Sequence, residues 1–243
     1  MNPILVRHTR ISLIQPGDFL LFKARGLDKG DFLGEIIAHF EGGNARYTHA
    51  ASIRDVPDPE TVVSEIRPGV FKVYEKAWLE NFSYDSCFEG ETKVGTIKKN
   101  TMGIKLEATW PKCREWAIDW ENENMEVWRV RFLTPQNIED ILRMQQDMVG
   151  VGPLDDLGNH ADAWDYNVAE FLTFGLLNQA SAKICSQFVA DPVYNSTLIR
   201  GCLVGNFPIA LTPDLLGNRD QEKTPNDLAL SGFAYRINHQ GLI

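Results

Sequence analysis

Nucleophilic chemistry needs an activated side chain and a base within reach, and two residues of this chain have the right types and settings. Cys185 opens the segment Ile184 to Tyr194, which reads as a helix broken at Pro192. A helix N-terminus carries partial positive charge and free N–H groups. Both favour a thiolate over a thiol, and Lys183 adds charge nearby. The bland alternative is a small buried core cysteine. His49 sits in the middle of a strand read over Arg46 to Arg54. A period of two puts Tyr47, His49 and Ala51 on one face. Thr48, Ala50, Ala51 and Ser52 are small and leave room for a packed helix or for substrate. A hydrogen-bonded core histidine is the competing reading.

Glu65 lies in the next strand, Thr61 to Ile66. A carboxylate there can fix the imidazole tautomer, as in any nucleophile–base–orienter triad, or it can be a surface residue of an edge strand. Asp18 follows the turn at Pro16-Gly17 and reads also as a strand-start residue, so Glu65 is the expected third member. No HxxxH, HxH or CxxC occurs among the five histidines and four cysteines. Neither a metal site nor any other cofactor is expected. GxGxxG and GxxxxGK[ST] are missing too, so no phosphate-cradling loop is expected.

The elements that must position these residues follow from turns and periodicity. Asp18 to Ala24, Arg46 to Arg54, Thr61 to Ile66, Val70 to Val73 and Met125 to Phe132 read as strands, with Phe233 to Ile237 as a final edge strand. Lys29 to Phe40 has helical apolar spacing and ends at Gly42-Gly43. Thr134-Pro135, Thr212-Pro213 and Thr224-Pro225 share one helix-start device, a Thr cap followed by Pro. The first of these helices runs to Val149, and a Gly/Asp-rich loop follows. Trp164 to Leu177 reads as largely helical. Residues 84–125 carry no clear period and read as an insertion or small lobe on a single domain spanning 1–243. Strand and helix, then several strands, then helices imply an α+β domain.

The 243 residues, 44% apolar and 23% charged, suffice for a core without disulfide or metal. A formal net charge of −9 argues against nucleic acid or anionic lipid as main partner. No stretch approaches a membrane span. Met1 to Gln15 does not read as a secretory signal, so cytoplasmic synthesis is expected.

Several segments, in order, carry a resemblance. Gln15-Pro16-Gly17-Asp18-Phe19-Leu20-Leu21-Phe22 resembles the "PGD" strand of the NlpC/P60 superfamily, and Tyr47-Thr48-His49-Ala50-Ala51-Ser52-Ile53 its histidine strand. Val62-Val63-Ser64-Glu65 falls at its third polar residue, and Cys185-Ser186-Gln187-Phe188-Val189 resembles its nucleophile motif. The cysteine helix follows the PGD strand here, as in the circularly permuted, YiiX/YaeF-like branch. Trp164-Asp165-Tyr166 and Thr224-Pro225-Asn226-Asp227-Leu228 resemble further segments of that branch.

The resemblance implies a papain-like antiparallel sheet packed on the cysteine-bearing helix. It implies a Cys185 thiolate attacking an amide or ester carbonyl, with His49 carrying the proton and Glu65 orienting it. Asp18, Tyr47 and Tyr166 are the expected substrate-side residues. Three readings follow: a cysteine peptidase or amidase of peptidoglycan stem peptides, a thiol acyltransferase or lipid-amide hydrolase, and a non-enzymatic protein of a virion or tail that keeps the fold. A bacteriophage protein would need no export signal of its own.

Overall fold

The computed structural model describes residues 5–6, 9–10, 13–23, 46–56, 62–67, 70–74, 103–118, 124–166, 182–204, 207–209 and 225–237. Its centre is a six-stranded sheet. The strands are β1 (Phe19–Phe22), β2 (His49–Asp55), β3 (Ile104–Ala108), β4 (Cys113–Ala117), β5 (Met125–Val130) and β6 (Ala234–Arg236). Their order is β6-β5-β1-β2-β3-β4, and every neighbouring pair is antiparallel. Three helices are described: α1 (Pro135–Val149), α2 (Cys185–Arg200) and α3 (Pro225–Leu230). The class is α+β with an antiparallel sheet and few helices, and Ala234–Arg236 is the expected edge strand.

Both faces of the sheet are covered. Phe19, Leu21, Ala50 and Val130 pack on one side against Ile141 of α1, Val189, Ala190 and Val193 of α2, and Leu228 of α3. Leu20, Ala51, Ile53 and Val127 pack on the other with Ile14, Ile118 and Ile237. A strand buried on both faces reads as an uninterrupted apolar run, which is why Phe19 to Phe22 shows no alternation.

Helix α1 begins as its sequence predicts. Thr134 Oγ1 accepts the Asn137 N–H at 3.2 Å, and Asn137 Oδ1 accepts the Thr134 N–H at 3.0 Å. Two orphan donors are thereby satisfied reciprocally, with Pro135 at the first helical position. The helix stops at Gly150, whose φ of 80° only glycine takes without strain, and a Cβ there would lie 2.5 Å from Asp162 Oδ1.

Helix α2 corrects an expectation, because it runs through Pro192 to Arg200 without a break. Proline has no N–H, so the carbonyl four residues earlier, on Phe188, loses its helical donor. Gln145 Nε2 of α1 replaces it, donating to Phe188 O at 3.1 Å and to Ser52 Oγ of β2 at 2.6 Å. One fully buried amide thus ties α1, the Cys185 helix and the His49 strand together.

A second correction concerns residues 84–125. Within that stretch β3 and β4 belong to the main sheet rather than to a separate lobe. In Ile104-Lys105-Leu106-Glu107-Ala108 the apolar residues alternate with charged ones, and both charged side chains lie largely within the protein. That pattern hid a core strand. Residues 84–102 fall outside the described residues, as do the helices expected over 29–40 and from Thr212-Pro213. Asp165–Tyr166 pairs in parallel with Ala182–Lys183 as a short strand, where a helix start was expected, and 167–177 is outside the described residues.

Candidate active site

His49 opens β2 opposite Phe22 of β1, with the two rings 5.4 Å apart. On its other side β2 pairs with β3, Ser52 opposite Leu106. Counting on antiparallel brings Glu107 beside Ala51 and within diagonal reach of His49. His49 Nε2 and Glu107 Oε2 are 3.0 Å apart. The sulfur of Cys185, first residue of α2, is the second hydrogen-bond partner of the imidazole.

The electrostatics suit a charged pair. Burial opposes a proton on His49. Against it act the charge and hydrogen bond of the Cys185 sulfur, then the hydrogen bond and charge of Glu107, and together they raise His49 to about 9. The Cys185 sulfur and the Glu107 carboxylate thus both favour the protonated imidazole. Glu107 is only 2% exposed at its side chain, and burial alone would raise it. The charge of Lys105, the His49 hydrogen bond and charge, and the Arg114 guanidinium hold it well below the ordinary carboxylate range. Arg114 Nε and Nη2 each lie 3.1 Å from Oε1, while Lys105 Nζ donates to Oε2.

Tyr166 reaches the same place. It packs with Trp164 against Leu106, Ala108, Cys113 and Phe188. Burial and then the Cys185 charge push its hydroxyl well above the usual tyrosine range, so it stays a neutral donor.

Comparison with protein-family models, curated proteins and solved structures finds no match.

The other expected residues are placed differently. The described carboxylate on His49 is Glu107, where Glu65 was expected. The Glu65 strand, Val62–Arg67, pairs only with Val70–Tyr74 among the described residues, and Glu107 holds the imidazole instead. Chain order suggested the next strand, but β2 has β1 and β3 as sheet neighbours. Asp18 is fully buried at the far end of β1 from Phe22, so it does not line the site. Arg129 clamps it, Nε to Oδ1 at 2.6 Å and Nη2 to Oδ2 at 2.8 Å, and Asp18 also accepts the Gln15 N–H. Tyr47 is 1% exposed, donates its hydroxyl to Glu126 and stands edge-on to Trp128, which makes it a core residue.

Cys113 is a buried core thiol. Cys202 lies in the short strand Cys202–Val204, and Cys87 is outside the described residues. Among the described residues no group of His, Cys, Asp and Glu could hold a metal ion, and no helix is long and apolar enough to cross a membrane. The signal for Glu107 was present in its strand, an acid flanked by Lys105 and followed by Arg114, but only pairing shows that the three converge.

Proposed function

We propose that this chain is a cysteine hydrolase that cleaves an amide or ester through an acyl-Cys185 intermediate, on a papain-like fold of the permuted NlpC/P60 kind. The observation that carries the reading is His49 hydrogen-bonded at once to the Cys185 sulfur and to the Glu107 carboxylate. Nucleophile, proton carrier and orienter stand in one line.

The thiolate attacks the carbonyl carbon, and the carbonyl π pair moves to oxygen. Ile184 has no polar side chain to cap the first turn, and the Cys185 N–H at the helix start is one donor to that oxyanion. The oxyanion collapses, the C–N or C–O bond breaks, and the His49 imidazolium protonates the leaving amine or alkoxide. His49, now neutral, takes a proton from water as the water oxygen attacks the thioester. The acid leaves and the thiolate–imidazolium pair is restored. No redox partner enters.

The test is acylation itself. An activated acyl probe offered to the protein is expected to add its acyl mass to the Cys185 peptide, and Cys185→Ala to remove both this adduct and turnover. Peptidoglycan stem peptides and simple acyl amides are the first substrates to compare. A folded protein whose Cys185 accepts no acyl group from any of these would sink the reading.

A further inference from the structure

Glu107 carries more than an orienter needs. One carboxylate, almost wholly buried, receives Lys105 and His49 on one oxygen and both Arg114 nitrogens on the other. The clamp is itself held in place: Lys105 Nζ lies 5.2 Å from the Phe22 ring centre, and the Arg114 guanidinium lies 4.5 Å from that of Trp116. Phe22 in turn touches the His49 ring. The described titratable groups around His49 are Cys185 from α2, Glu107 and Lys105 from β3, and Arg114 from β4. Tyr166 faces the sulfur, and β1 contributes only the uncharged Phe22.

We propose that Lys105 and Arg114 are positioning residues that lock Glu107 and offset its charge, so that protonation of His49 depends on whether the Cys185 sulfur is a thiolate. This rests on the hydrolase reading and names how its site is regulated within a cycle. Two fixed cations already answer the single Glu107 anion. An imidazolium beside them is therefore supported chiefly by the thiolate. Once the sulfur is acylated and neutral, two cations face His49 with one anion between them, and the proton leaves. His49 then serves as acid while the thiol ester forms and as base for the water that follows, with no conformational change required.

The experiment reads the His49 titration by NMR of its Hε1–Cε1 resonance, assigned with His49→Gln. It compares the free protein with protein whose Cys185 sulfur has displaced iodide from iodoacetamide, a neutral thioether. The free form is expected to titrate near pH 9. The thioether form is expected to fall to or below the ordinary histidine value of about 6.5. Lys105→Met keeps the stem over Phe22 and removes the charge, and it should raise the thioether-form midpoint by roughly one unit or more, as expected when a like charge within a few ångströms is removed. Arg114→Gln should raise it in the same direction, and Arg114→Lys should restore it in part. An unmoved midpoint in both charge-removing variants overturns the proposal. Because Arg114 reaches solvent, its variants serve if Lys105→Met does not fold. Failure of the hydrolase reading would show instead as no acylation by substrate, with the midpoints still shifting as expected here.

Discussion

The buried amide of Gln145 offers the sharpest quantitative test of how the two halves of the site are held together. Its Nε2 supplies the donor that Pro192 denies to Phe188 O, and it also bonds Ser52 Oγ, three residues along β2 from His49. Replacing it by Met keeps the volume and removes both bonds. A buried carbonyl left without a donor costs about 1–3 kcal/mol, and the lost Ser52 bond adds about 1 kcal/mol, so Gln145→Met should destabilise by roughly 3 kcal/mol.

The mechanism is isolated by Pro192→Ala. Alanine restores the N–H, the helix satisfies Phe188 O itself, and Gln145→Met in that background should cost less by about 1.5 kcal/mol. Urea unfolding of the four proteins gives this coupling, because effects of Pro192→Ala on the unfolded chain cancel around the cycle. A coupling below about 0.5 kcal/mol, within ordinary additivity error, would refute the claim that Gln145 stands in for the missing helical bond. His49 should also titrate lower in Gln145→Met, since the Cys185 helix is no longer tied to the histidine strand.

Three further outcomes are expected. Glu107→Gln removes one of the supports of the imidazolium, so the alkaline limb of amide turnover, set by loss of the His49 proton near pH 9, should move down by about one to two units, while Glu65→Gln leaves it in place; a larger effect from Glu65→Gln would reverse the assignment. The sign follows from His49 being raised: its protonated, proton-donating form persists through neutrality and is lost only as pH climbs through about 9. Arg129→Met strands the Asp18 carboxylate in the core and should lower unfolding free energy by about 3 kcal/mol without moving the His49 titration, with denaturant midpoints and NMR as the two readouts. Iodoacetamide at neutral pH should label Cys185 well before Cys113, which is a core thiol in β4, and equal rates in peptide mapping would count against a thiolate at Cys185.

What could be read along the chain was local chemistry. Thr134-Pro135 and Gly150 mark both ends of α1 because caps depend on neighbours within four residues. The position of Cys185 at a helix start and of His49 in a strand needed no more than turn signals and short periods. Their pairing through one imidazole, and the choice of Glu107 over Glu65, depend on which strands lie side by side, and strand order is not strand sequence. Likewise a proline in a helix reads as a break until a side chain from another helix, Gln145, answers its unpaired carbonyl. Residues such as Lys105 and Glu107 look like a solvent-facing pair in sequence. Only packing shows Glu107 to be buried and Lys105 to be largely covered, because the partners Arg114 and His49 arrive from strands on either side of their own.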